Sequence, residues 1–108
     1  MRRGEIRWCT YDAPDKRRPA MVLSRDEAVA GLHEVLVVPI TRTVRGKPFE
    51  VQLGAEDGMP YVCAMNFDHF GVANKGRVGT LISVLRHERW PDVERALLFA
   101  CGFSSGKH

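Results

Sequence analysis

Arg17 and Arg18 stand directly before Pro19 and the apolar run Ala20-Met21-Val22-Leu23, which leaves through the polar Ser24. Proline fixes its own φ and lacks an N–H, so it suits the first residue of a strand. It also biases Arg18 toward an extended backbone. A second run, Glu34–Thr43, is rich in β-branched residues and ends in hydroxyls and a base: Thr41, Arg42 and Thr43. If the two strands pair, Arg18 and Thr41 meet at one rim. A guanidinium is planar, charged and able to give two parallel hydrogen bonds to phosphate oxygens, and a hydroxyl beside it adds a neutral donor. Residue type alone favours plainer readings: an exposed arginine flanking a strand, and a threonine where β-branched residues belong.

Further positive charge follows the second run. Arg42, Arg45 and Lys47 form a basic turn with Phe49 close behind, either a solvated charge run or a set of phosphate contacts; Phe49 reads as core. Lys75 and Arg77 form a second basic cluster, read as loop charges.

The elements that must position these groups are short. Gly4–Tyr11 reads as a strand with Ile6, Trp8 and Thr10 on one face and Glu5, Arg7 and Cys9 on the other. Asp12–Lys16 is a loop by its Asp and Pro content. Ala20–Ser24 is apolar up to its polar exit at Ser24, which predicts a central strand covered on both faces. Residues 26–30 are expected to make one helical turn. Glu34–Ile40 is the third strand, and its Pro39 predicts a bulge or an edge. Phe49–Leu53 alternates, with Glu50 and Gln52 facing outward. Tyr61–Met65 and Val78–Val84 complete about six strands, with 66–71 irregular between them. Pro91 suits the first turn of a helix. Val93, Ala96, Leu97, Ala100 and Cys101 recur at helical spacing, and Gly102 is a stop. The expected class is mainly β with a C-terminal helix, a small barrel. One domain over residues 1–103 is followed by a frayed tail, 104–108.

Composition bounds the rest. The chain has 108 residues, 44% hydrophobic and 27% charged, enough for a core without staples. No apolar run approaches the ~20 residues of a membrane helix, and no signal-peptide pattern follows Arg2 and Arg3. Cys9, Cys63 and Cys101 lack zinc or disulfide spacing and read as buried reduced thiols of a cytoplasmic protein. No metal and no cofactor is expected. The net charge is +3, with ten Lys/Arg against seven Asp/Glu in residues 1–50 and six against six thereafter. The surplus lies with the two key strands and suits a polyanion.

The ordered segments Met1–Trp8, Arg17–Asp26 and Val37–Thr41, with Asn66-Phe67-Asp68, Lys75–Val78 and the closing helix, resemble the MazF/PemK toxin endoribonucleases over nearly the whole chain. The resemblance implies an SH3-like barrel, a homodimer, and the toxin of a type II toxin–antitoxin pair. It implies metal-independent, sequence-specific cleavage of single-stranded RNA by the RNA's own 2′-OH, leaving a 2′,3′-cyclic phosphate and a 5′-OH. DNA, lacking that hydroxyl, is spared. It makes Arg18 and Thr41 the catalytic residues. It sets Arg17, Ser24, Arg42, Thr43, Arg45, Lys47, Asn66, Asp68, His69 and Lys75 as RNA-binding, and a cognate antitoxin as partner, its disordered, often acidic tail lying over the site.

The chain departs from the family before Arg18. The loop is short and lacks the usual glutamate, leaving Asp12 or Asp15 as substitute carboxylates. His69 stands where many members have Gln and Gly71 where many have Arg; His69 reads as a surface histidine, with an acid or base as its alternative. Trp8 reads as core or dimer interface. The rivals are a non-catalytic RNA- or protein-binding module, which the short loop favours, and a gyrase-targeting toxin of similar fold.

Overall fold

The computed structural model describes residues 1–12 and 16–103. In chain order the elements are β1 (Glu5–Thr10), β2 (Arg17–Val22), α1 (Asp26–Gly31), β3 (Glu34–Thr41), β4 (Glu50–Leu53), β5 (Cys63–Asn66), β6 (Gly71–Asn74), β7 (Val78–Val84) and α2 (Trp90–Ala100), with 3-10 turns at Ala55–Asp57, Phe67–His69, Lys75–Arg77 and His87–Arg89. Asp15 and the tail 104–108 lie outside the described residues. The strand order is β4-β5-β3-β2-β1-β7, with β6 on β3. The mainly β class with a closing helix is borne out. Among the described residues no ladder joins β4 to β7, so the small barrel-like sheet stays open. Among the described residues no helix is long and apolar enough to cross a membrane.

β3 is the hub, because its Val-Leu-Val-Val-Pro-Ile run buries both faces. Leu36, Val38 and Ile40 pack with Ile6, Met21, Val51, Leu53, Met65 and Phe67 under α2, whose Val93 and Ala96 are buried there. Val35 and Val37 pack on the other side with Cys9, Ala20, Val22, Ala73 and Val29 of α1. The central, doubly covered position expected of the Ala20–Leu23 run follows from this. Pro39 marks neither a bulge nor an edge. It pairs with Ala20 in unbroken register, and on the opposite side it falls between the end of the β6 ladder at Val37 and the start of the β5 ladder at Ile40. The missing N–H therefore costs no ladder bond. Pro19 lies inside β2, opposite Trp8, one residue before pairing to β3 begins at Ala20.

Cys9, on the β1 face it shares with Glu5 and Arg7, is buried in the second core as expected, and β1 carries register shifts against β7. Two further expectations are corrected. A seventh strand, β6, begins at the end of the stretch 66–71 read as irregular, where no strand was expected. Cys101 is exposed, while Cys9 and Cys63 are buried; burial pushes both buried thiols up. Helix α2 ends as expected at Gly102, whose φ is +80°. The Gly102 and Phe103 N–H groups donate to Phe99 and Leu98 carbonyls at 3.1 and 2.9 Å, closing the last turn through a left-handed glycine.

Candidate nucleic-acid interface

β2 and β3 pair Ala20 with Pro39, Met21 with Val38 and Val22 with Val37. The same antiparallel register carried two residues further sets Arg18 opposite Thr41. Both extend the face that buries Ala20, Val22, Val35 and Val37, just where that core ends and solvent begins. A cavity of about 420 Å³ opens there, lined by Tyr11, Arg18, Pro39, Thr41, Thr43, Arg45, Asn66 and His69. A second, of about 410 Å³, is lined by Trp8, Arg17, Pro19, Ile40, Arg42 and Tyr61, and shares Arg18, Thr41 and Thr43 with the first. Its remaining strand residues come from alternate positions, hence from the opposite face of the sheet. The Arg18–Thr41 rim thus stands between two hollows at one end of the sheet.

Four arginines border the hollows and, among the described residues, no carboxylate does. Two of them lie on aromatic rings: Arg17 over Trp8 at 4.9 Å and Arg42 over Tyr61 at 4.1 Å. Thr41 Oγ1 accepts the Thr43 N–H at 3.1 Å, which leaves its own O–H to donate elsewhere. Asn66 is buried, and its Oδ1 accepts the Asp68 N–H at 3.0 Å, ordering the turn that presents His69. Among the described residues no group of three or more His, Cys, Asp or Glu could hold a metal ion.

Most residues singled out from the sequence converge here: Arg17, Arg18, Thr41, Arg42, Thr43, Arg45, Asn66 and His69. Asp68 sits in the same turn without lining either cavity. Lys47 faces a separate hollow with Pro48 and Arg95. Ser24 does not reach the site; it is buried, and its Oγ accepts the Leu36 N–H at 2.7 Å, closing the far end of the β2–β3 pair. Lys75 does not reach it either, because its Nζ donates to the Val29 carbonyl of α1 at 2.5 Å. Asp12, read as a substitute carboxylate, is drawn to Arg77 at 3.2 Å and lines neither cavity.

Three residues were missed or misread. Trp8 is not core: half-buried, it forms a wall of the second hollow. Tyr61 does the same. Glu50, expected to face outward, is buried, and its Oε1 accepts the N–H groups of Arg45, Gly46 and Lys47 at 2.9, 2.8 and 3.4 Å. Its carboxylate sets the course of the basic loop. The available signal was a glutamate just beyond a Gly- and Pro-containing basic turn.

Comparison with known proteins finds related sequences and folds. Residues 2–100 match the family model described as PemK-like, MazF-like toxin of type II toxin-antitoxin system. The probable endoribonuclease MazF5 of Mycobacterium tuberculosis is 46% identical over 67 residues, 61% of this chain and 61% of that protein. Among solved structures, the Mycobacterium tuberculosis toxin MazF-mt6 superposes with a TM-score of 0.85 at 28% identity, over 93% of this chain and 98% of that one. A MazE–MazF structure from Deinococcus radiodurans gives 0.76 at 25% identity, over 96% and 97%. The chain spans 61% of the length of the MazF5 relative. With a family match running from Arg2 to Ala100 over all the strands and both helices, this chain belongs to the PemK-like, MazF-like toxins of type II toxin–antitoxin systems.

Proposed function

We propose that this protein is the toxin of a toxin–antitoxin pair and a sequence-specific endoribonuclease acting on single-stranded RNA, with residues 1–103 as its domain. The observation that carries the reading is the Arg18–Thr41 rim between two arginine-bordered hollows. The RNA 2′-oxygen attacks the adjacent phosphorus; the O2′–P bond forms and the P–O5′ bond breaks. The products are a 2′,3′-cyclic phosphate and, once the departing O5′ takes a proton from Arg18 or from water, a 5′-hydroxyl. Arg18 offers two donors to the phosphate oxygens on which charge builds, and Thr41 offers its hydroxyl. With Asp12 engaged by Arg77, His69 is the cavity's candidate to take the 2′ proton. Asn66 and His69 present an amide and an imidazole to base edges. A second copy of the chain, and an antitoxin whose acidic segment covers the arginines, are the expected partners, in the cytoplasm.

The test is purified protein with a long mixed-sequence RNA and excess EDTA, mapped by primer extension, beside Arg18→Ala. Discrete cuts at one short motif, reduced about 100- to 1,000-fold in the variant, are expected. Full cutting by Arg18→Ala removes the assigned role. Intact RNA with the folded wild type points to a binding module instead.

A further inference from the structure

The second hollow, on the opposite face of the rim from His69, holds features that the cleavage chemistry leaves unexplained. It carries no carboxylate and no histidine among its described walls. What it does carry is two aromatic rings, each with a guanidinium over it: Trp8 under Arg17 at 4.9 Å and Tyr61 under Arg42 at 4.1 Å. The four groups come from separate places, β1, β2, the end of β3 and the loop before β5, and converge on one space of about 410 Å³. Guanidinium–aromatic pairs on a surface contribute little to stability, so two of them facing one hollow call for a ligand that uses both components. A planar base offers a π-face to a ring or to a guanidinium plane, and its flanking phosphates offer anions to the same arginines.

On the basis of the endoribonuclease reading above, we propose that this hollow is a stacking slot for one nucleobase of single-stranded RNA beside the cleaved bond. A strand crossing the sheet's end sets its phosphate on the Arg18–Thr41 rim, with one neighbouring base turned toward His69 and the other into the slot. The first hollow, with Asn66 and His69, carries groups that discriminate base edges. The second carries faces, which every base satisfies. Sequence preference therefore resides on the His69 side, and the slot supplies affinity with little preference.

The experiment uses the intrinsic fluorescence of Trp8. The other tryptophan, Trp90, lies against Arg3 at 4.7 Å and outside both hollows, so a Trp90→Phe background isolates the Trp8 signal. The probe is a mixed-sequence 2′-O-methyl RNA about 12 nucleotides long, within the footprint of single-strand sites, which binds but has no hydroxyl to attack. Saturable quenching of Trp8 is expected. Tyr61→Leu should weaken binding roughly 5- to 150-fold and Tyr61→Phe should restore it. Circular dichroism shows whether Tyr61→Leu is folded, and the Trp8 quench on an intact slot stands whatever that variant does. Binding with neither quenching nor sensitivity to Tyr61→Leu overturns the slot, while Arg18-dependent cutting leaves the endoribonuclease reading in place. Neither binding nor cutting by folded protein overturns both.

Discussion

Thr41 shows how much one hydroxyl is asked to do. Its oxygen accepts the Thr43 N–H at 3.1 Å, so the proton it carries points to a different acceptor, and the Arg18 rim supplies the place for one. Valine keeps the shape and strand preference of threonine and removes only that donor. Thr41→Val should slow cutting at a mapped site about 10- to 1,000-fold, and Thr41→Ser should stay within about tenfold of wild type, as initial rates on one labelled RNA. Equal rates for valine and serine would confine Thr41 to the strand. The pairing of Arg18 with Thr41 was legible in the sequence because each closes an apolar strand, and adjacent antiparallel strands leave few registers to choose from. Ser24 and Lys75 were not distinguishable by type. A serine at a strand's exit and a lysine in a basic turn look alike whether they face a ligand or a backbone group. Their actual partners, Leu36 N–H and the Val29 carbonyl, are set by tertiary neighbours that no local pattern encodes.

At the scale of the element, the basic loop after β3 is held by one carboxylate. Glu50 begins β4, an edge strand whose alternation was read correctly: Val51 and Leu53 are buried and Gln52 is exposed. The face given to solvent is nonetheless covered at Glu50, since the loop folds back and donates three N–H groups to it. Bonds to a charged acceptor contribute about 1.5–3 kcal/mol each when buried. Glu50→Ala should therefore loosen residues 43–47, speeding amide exchange there, and lower RNA affinity although every positive charge remains. Unchanged exchange at Arg45–Lys47 would show that the loop holds itself. β6 was illegible for a related reason. Gly71-Val72-Ala73-Asn74 has low strand preference, and it is a strand because β3 offers Glu34–Val37 as a ready ladder. The longer strands and α2 were readable because their apolar period is set by cores they line directly.

The whole molecule has an open sheet whose ends, β4 and β7, must be kept together without a ladder. A clasp of side chains spans the gap. The buried Asp57 carboxylate takes the Gly54 N–H at 3.0 Å, Arg89 Nη1 at 2.8 and 2.9 Å, and Arg86 Nη2 at 3.2 Å. Arg89 also donates to the Gln52 carbonyl on β4 at 2.8 Å, and Ser83 Oγ on β7 donates to the Asp57 carbonyl at 2.6 Å. The turn admits this approach through Gly58, φ +79°, where a Cβ would stand 2.4 Å from Ser83 Oγ. Burial pushes the Asp57 carboxyl up, but the Gly54 N–H and the Arg89 and Arg86 guanidiniums outweigh it and hold it below the ordinary carboxylate value. A depressed native value contributes stability that is present above the unfolded value of about 3.9 and is lost as pH falls through the native one. Asp57→Asn strips the charge from a site facing two arginines, one of them half-exposed. It should cost about 3 kcal/mol at neutral pH, a fall in Tm of roughly 10–20 °C for a chain of this size. Thermal melts from pH 7 to pH 2 should show the wild-type and variant curves converging on the acid side, because protonation removes from the wild type what the substitution has already removed. Parallel curves down to the lowest pH would place the acid sensitivity elsewhere, and the clasp would then be held by its backbone bonds.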